Sequence, residues 1–242
     1  MTSPGAAHAV MMQRHMHLYG TTSEQLAAIS VAFRKHAILN PDAVMKTPVS
    51  VEDHQNSRFI AEPLHLLDYC LINDGGVALI LTSADRAKDW AKPPVYIRAF
   101  GQAAALKGSS LPPEDFWHGP MERIAADIYR NADVSREDLD ALMIYDNFTP
   151  TVIFSLEGFG FCKPGEGGAF VQDGRLELGG QYPSNTDGGH LSNSYMQGWA
   201  LNVEAVRQLR GEAGERQVKD ARLIQYMAAA PLTSSIIYGS DA

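Results

Sequence analysis

Asn185-Thr-Asp-Gly-Gly-His-Leu-Ser-Asn-Ser-Tyr195-Met-Gln-Gly198 stands immediately before a long amphipathic run, and its reading decides the rest. It is a polar, glycine-containing turn that delivers Tyr195 to the first turn of a helix. Gly188 and Gly189 let the backbone take positive φ and approach a ligand closely. Ser192, Asn193 and Ser194 are candidate N-caps. Beyond them Met196, Trp199, Val203, Val206 and Leu209 recur at three- and four-residue spacing, which is one apolar helix face. Free N–H groups in a first helical turn favour negative charge. A phenol held there can stabilise an oxyanion or ionise more readily. The competing reading is a surface loop whose tyrosine merely packs on the following helix, and spacing alone favours it.

Working outward, 242 residues with 45% hydrophobic and 20% charged side chains can bury a substantial core, in one large domain or two small ones. A net charge of −8, with basic residues scattered, argues against non-specific nucleic-acid binding. No apolar segment approaches the roughly 20 residues of a membrane helix. The start, Met1-Thr-Ser-Pro-Gly-Ala-Ala-His8, has neither the basic region nor the apolar core of a signal peptide. Two cysteines, Cys70 and Cys162, without a Cys-x-x-Cys motif suggest a reducing cytoplasm and no disulfide framework.

Ser3-Pro4 opens a helix that Gly20 closes. Thr22-Ser-Glu-Gln25 is a capping-box pattern, followed by Leu26, Ile29, Phe33 and Ala37 on one face, with Asn40-Pro41 as the stop. From Pro41 to about Ala61 the chain is polar and non-periodic, a loop excursion. Val77-Ala-Leu-Ile-Leu-Thr82 reads as a strand buried on both faces. Pro93-Pro94 marks a boundary that divides the chain into residues 1–92 and 93–242. Val95–Phe100 alternates like a strand opening the second unit. Pro120 precedes a helix bearing Ile124, Ala125, Ile128 and Tyr129, and Ser135–Asp138 caps a short helical turn. Leu142–Tyr145 is a buried strand, Thr149-Pro150 starts a helix ending at Gly158, and Phe159–Gly180 is a Gly-rich excursion. Arg222–Met227 and Ser235–Tyr238 are closing strands. Alternating strands and helices predict an α/β fold with a mixed sheet covered by helices.

Tyr145 and Tyr195 share a setting, a polar turn feeding a helix, and such turns gather beyond the carboxyl ends of strands where α/β proteins bind ligands. An unperturbed phenol, with a pKa near ~10, is a poor acid or base at neutral pH. Two phenols paired in a cleft can serve as base and acid. His8, His15 and His17 raise the question of a metal, but neighbouring positions on a helix do not converge on one ion, and no Cys or acidic partner stands at ligand spacing. The glycines of Gly158–Gly168 lack the spacing and the Lys-Ser/Thr of a phosphate loop. Lys163 beside Cys162 can lower a thiol pKa, yet structural roles suit both cysteines better. No Ser-His-Asp arrangement with an elbow motif is present.

At Tyr145-Asp-Asn-Phe148 and Gly188–Gly198 the chain resembles the thiolase superfamily, in its sterol-carrier/lipid-transfer-protein branch. Arg14-His-Met-His17-Leu-Tyr-Gly-Thr-Thr, Asn73-Asp-Gly-Gly-Val-Ala, Lys163-Pro-Gly-Glu-Gly-Gly and Asn185-Thr-Asp-Gly-Gly fit that branch too, so the resemblance covers essentially the whole chain. The departures are specific. Tyr145 stands where the branch has the His of a His-Asp-Cys-Phe-like motif, and Tyr195 where it has the His of Gly-His-Pro. Gln225-Tyr-Met-Ala-Ala-Ala-Pro-Leu-Thr233 has none of the catalytic Cys expected in that loop, which puts Claisen chemistry in doubt. Two Tyr for two His, with the Cys lost, resembles the steroid side-chain retro-aldolases of the superfamily.

The resemblance implies a layered thiolase-like fold, helices packed on mixed five-stranded sheets, of which this chain is largely the C-terminal half. Residues 1–92 correspond to the end of the N-terminal half, and 93–242 to the C-terminal domain. It implies retro-aldol cleavage of a β-hydroxyacyl-CoA, with Tyr145 taking the hydroxyl proton and Tyr195 protonating the thioester enolate, supported by helix-end N–H groups. Asp146 is expected to brace the strand-to-helix turn. Asn147, Gly188, Gly189 and Tyr96 are expected to bind substrate. No cofactor is implied beyond the coenzyme A of the substrate. A homodimer and a partner with an OB-fold and zinc ribbon, of the DUF35 type, are implied as well. The alternatives are an acyl-CoA acyltransferase or lipid-transfer protein, and a non-catalytic subunit that binds acyl-CoA or a partner.

Overall fold

A computed structural model describes residues 3–104 and 113–241; Met1 and Thr2, where the signal-peptide reading begins, lie outside them. In chain order the elements are helices α1 (Pro4–Tyr19), α2 (Ser23–Ile38) and α3 (Val51–Asn56), strands β1 (Phe59–Ala61) and β2 (Leu64–His65), and helix α4 (Ala84–Ala87). Strand β3 (Tyr96–Ala104), helix α5 (His118–Ala132), strand β4 (Ala141–Ile144) and helices α6 (Thr149–Gly158), α7 (Gly167–Phe170), α8 (Gly189–Ser192) and α9 (Trp199–Leu209) follow. Strands β5 (Leu223–Ala228) and β6 (Leu232–Gly239) close the chain.

The first two helices form where their ends dictate. Ser3 Oγ accepts the Ala6 N–H at 3.3 Å, and Gly20 at φ 75° ends α1 by donating to the Met16 carbonyl. At the start of α2 the Gln25 side chain accepts the Thr22 N–H at 3.0 Å. Leu26, Ile29, Phe33 and Ala37 of α2 are all fully buried.

The main sheet has four strands in the order β3-β6-β5-β4, antiparallel except for the parallel pair β4–β5. Leu142 and Ile144 of β4 belong to the large core under α5 and α6, while Ala141 and Met143 belong to a second core with Leu201 and Ala205 of α9. The continuous apolar run of β4 is therefore a strand covered by helices on both sides. Each large apolar side chain so buried stabilises the fold by about 1.5–3 kcal/mol.

β4 is an edge strand of that sheet, and Asn185 completes it. The Ile144 N–H donates to Asn185 Oδ1 at 2.7 Å, and Asn185 Nδ2 donates to the Ile144 carbonyl at 2.8 Å. The side-chain amide thus pairs with the strand as another peptide group would, satisfying buried edge groups. It also anchors the 185–189 turn beside the residue after β4, Tyr145.

Four expectations are corrected. Among the described residues the sheets have four and two strands, the second being β1–β2, where five were expected. Val77–Thr82 forms no strand and is exposed, with Ile80 and Leu81 more than three-quarters accessible; an apolar run becomes a strand only where another strand offers a ladder. The 41–61 excursion contains α3 and β1; Ser50 Oγ accepts the Asp53 N–H and Asp53 Oδ2 the Ser50 N–H, a capping box with Asp in the Glu/Gln place. Finally, α9 buries Leu201, Asn202, Glu204, Ala205 and Gln208, while Trp199 is exposed and Val203, Val206 and Leu209 are half-buried. A polar network turns the helix this way. Glu204 takes two bonds from Arg216, at 3.0 and 3.1 Å, and one from Thr186 Oγ1. Burying that carboxylate is tolerated because its charge is paired and hydrogen-bonded.

Candidate active site

Tyr145 continues the β4 ladder by donating its N–H to the Met227 carbonyl at 2.8 Å, which aims its side chain past the strand end. Its hydroxyl lies 2.8 Å from that of Tyr195, so one phenol donates to the other. The two tyrosines, 50 residues apart, meet as the sequence suggested. Burial, and then the hydrogen bond with Tyr195, push the Tyr145 phenol far above its ordinary pKa. A resting phenolate there is disfavoured.

Tyr195 is not in a first helical turn. It lies in irregular chain between α8 and α9, and α9 is entered through Gly198 in the left-handed region at φ 86° rather than through Ser192, Asn193 or Ser194. Its position is fixed instead by Asn73, whose Oδ1 accepts the Tyr195 N–H at 2.9 Å. Residues 70–73 run along the site as a strap: Cys70 N–H donates to the Asn147 carbonyl at 3.1 Å and Leu71 N–H to the His190 carbonyl at 3.0 Å.

His190 stands against both phenols. Its ring centroid is 4.9 Å from that of Tyr145 and 5.1 Å from that of Tyr195, both edge-on. Nε2 accepts the Gly198 N–H at 2.9 Å. Nδ1 lies 2.8 Å from Asp146 Oδ1 but is poorly aligned for a hydrogen bond. Asp146 is fully buried and accepts the N–H groups of His190 and Leu191 at 2.9 and 3.2 Å. It braces α8, not the strand-to-helix turn at α6. Neither His190 nor Asn73 was found from sequence: their partners are 44 and 122 residues away, so no local spacing betrays them.

The remaining sequence candidates have surroundings of their own. Gly188 at φ 104° and Gly189 at φ 62° are needed for packing: a Cβ would lie 2.5 Å from Ala37 Cβ and 2.2 Å from Asp146 Oδ2, respectively. The side chain of Asn147 accepts the Thr151 hydroxyl at 2.7 Å in the first turn of α6. Tyr96 lines a separate cavity of about 600 Å³ with Leu79, Leu81, Trp90 and Tyr238, away from the phenol pair. Of the three histidines, His15 pairs with Glu157 at 3.1 Å and with Thr21, and buried His8 bonds to the Pro4 carbonyl. Burial pushes the thiols of Cys70 and Cys162 up to about 11 and about 12.

Residues 107–235 match the family described as thiolase C-terminal domain-like. A steroid side-chain-cleaving aldolase of Thermomonospora curvata is 38% identical over all of this chain and 63% of its own length. A 17-hydroxy-3-oxo-4-pregnene-20-carboxyl-CoA lyase of Mycobacterium tuberculosis is 42% identical over 87% of this chain and 56% of its own. Among solved structures, an Ltp2–ChsH2(DUF35) aldolase superposes with a TM-score of 0.92 at 38% identity, covering 99% of this chain and 64% of that one. A monomeric SCP2-thiolase-like protein of Mycobacterium smegmatis, 18% identical with a TM-score of 0.71, shares the fold. This chain thus spans roughly three-fifths of the length of these aldolase and lyase relatives. The fold and the family match over more than half its length agree: the chain belongs to the thiolase C-terminal domain-like family.

Proposed function

We propose that the chain carries the proton-transfer site of an acyl-CoA carbon–carbon lyase, cleaving a β-hydroxyacyl-CoA by retro-aldol chemistry into a ketone and a shorter acyl-CoA. The observation that carries this reading is the 2.8 Å contact between the Tyr145 and Tyr195 hydroxyls. Tyr145 Oη takes the proton of the substrate's β-hydroxyl while its own proton passes to Tyr195 Oη. Tyr195 gives its proton to Cα as the Cα–Cβ bond breaks and Cβ becomes the ketone carbonyl. Each phenol ends as it began, neutral. Such a relay answers the raised pKa of Tyr145, because no phenolate has to be held at rest.

The names of the Thermomonospora and Mycobacterium relatives support a steroid side chain as the substrate class. The solved Ltp2–ChsH2(DUF35) aldolase supports a DUF35-type partner, for which the family resemblance implies an OB-fold and zinc ribbon. Homodimerisation and a cytoplasmic setting belong to the same proposal, as do substrate contacts by Asn147, Gly188 and Gly189 near the phenols and by Tyr96 in its separate cavity. Acyl transfer is the weaker reading, although an acetyl-CoA acetyltransferase of Methanothermobacter thermautotrophicus is 37% identical. Its acid/base Cys is expected in the loop Gln225–Thr233, which has none, and burial keeps the two thiols present here, Cys70 and Cys162, protonated. The test is the double variant Cys70→Ala/Cys162→Ala in the complete protein. Retro-aldol cleavage is predicted to stay within about threefold of wild type; loss of turnover in a folded double variant overturns the thiol-free mechanism.

A further inference from the structure

We propose that His190 is a positioning residue that holds the two phenols at the separation a proton can cross. The inference rests on Tyr145 and Tyr195 being the reacting pair. Their ring centroids are 6.5 Å apart, and the imidazole packs edge-on against each at about equal distance. It is the wedge that fixes the angle at which the hydroxyls meet.

The wedge is itself locked. Because Nε2 accepts the Gly198 N–H, it carries no proton, and the neutral ring holds its hydrogen on Nδ1, facing the Asp146 carboxylate. Asp146 is tied to the backbone of His190 and Leu191, and its Oδ1 lies 2.8 Å from the ring Nδ1, so the carboxylate packs against both the helical turn and the ring. Gly198 is pinned in turn. Its carbonyl accepts Asn202 Nδ2 at 2.8 Å, and Asn202 Oδ1 accepts the Tyr238 hydroxyl at 2.7 Å. Only glycine fits there, since a Cβ would sit 2.3 Å from the Tyr226 hydroxyl. His190 is fully buried with both nitrogens facing fixed partners, so it neither takes nor gives the substrate's proton. It acts through the phenols.

The test uses His190→Leu and His190→Gln in the complete protein, read two ways. Leu removes the ring and the acceptor for Gly198; Gln keeps an acceptor but no ring. In the cleavage assay kcat is predicted to fall about 10²-fold for Leu and about 10-fold for Gln, with KM within about threefold, as misplacement of reacting groups produces. The second reading needs no substrate: the NMR signal of the phenolic proton shared by Tyr145 and Tyr195, assigned by its loss in Tyr145→Phe, is predicted to persist in wild type and to exchange away in both variants. Wild-type kcat together with an intact phenolic signal, in either folded variant, overturns the proposal. Should Leu fail to fold, the Gln variant decides. Should the wild type cleave no β-hydroxyacyl-CoA, the cleavage reading fails while the phenolic signal still decides the role of His190.

Discussion

Tyr145 keeps its proton at neutral pH because burial and Tyr195 both oppose ionisation, so its use in catalysis depends on its neighbour. In the proposed relay, Tyr145→Phe removes the group that meets the β-hydroxyl, and Tyr195→Phe removes the proton that Cα receives. Each is predicted to lower kcat by about 10²-fold or more, typical of a lost acid or base, with little change in KM. Steady-state kinetics on the two folded variants checks this, and near-normal turnover in either contradicts the relay. At this scale the sequence was informative but incomplete. Tyr145 was legible from the buried strand it follows, whereas the helical turn expected around Tyr195 is not where that residue sits; the resemblance to family histidine positions drew attention to both. His190 lies within the 185–198 stretch, where no local spacing marks it. Its role comes from Asp146 and from the two rings it touches, which only the folded chain assembles.

The turn holding α8 is the element on which the site hangs, and it contains a charge under stress. Asp187 is buried, accepting the Gly189 N–H at 2.9 Å and Asn193 Nδ2 at 2.7 Å. Burial, with the nearby Glu204 charge second, raises its pKa to about 6. The folded state therefore binds this proton more tightly than the unfolded state does. The stability so gained is fully present below the ordinary carboxyl range and is lost as pH rises through about 6. Asp187→Asn removes the titration. Urea unfolding from about pH 4 to about pH 7 is predicted to show wild-type stability declining relative to the variant across that window; parallel curves contradict it. Elements whose signals are local were legible: the capped helices α1 and α2, the two-sided strand β4 and the helix that Thr149-Pro150 begins. The 77–82 run and the face of α9 were misread for one reason. Periodicity reports which side chains are apolar, whereas a ladder partner and a buried ion pair such as Glu204–Arg216 decide what is covered.

Across the whole molecule, the strap at residues 70–73 brings the first part of the chain onto a site built from the second. Asn73 holds Tyr195, and α2 packs on both α6 and α8. The division at Pro93-Pro94 therefore marks a change of sequence character while the site draws on both sides of it. Exposed apolar side chains crowd the 72–90 region, among them Ile72, Ile80, Leu81 and Trp90, and surface of this kind is what association covers. Activity is accordingly best measured on the complete protein, with and without a DUF35-type partner. A β-hydroxyacyl-CoA is incubated without free coenzyme A, and the products are identified by mass spectrometry. The prediction is a ketone and a shortened acyl-CoA in equal amounts, formed without added coenzyme A and slowed about 10²-fold or more by Tyr145→Phe. Product that appears only when free coenzyme A is supplied, or cleavage at a near-normal rate without the Tyr145 hydroxyl, contradicts retro-aldol cleavage by the phenol pair.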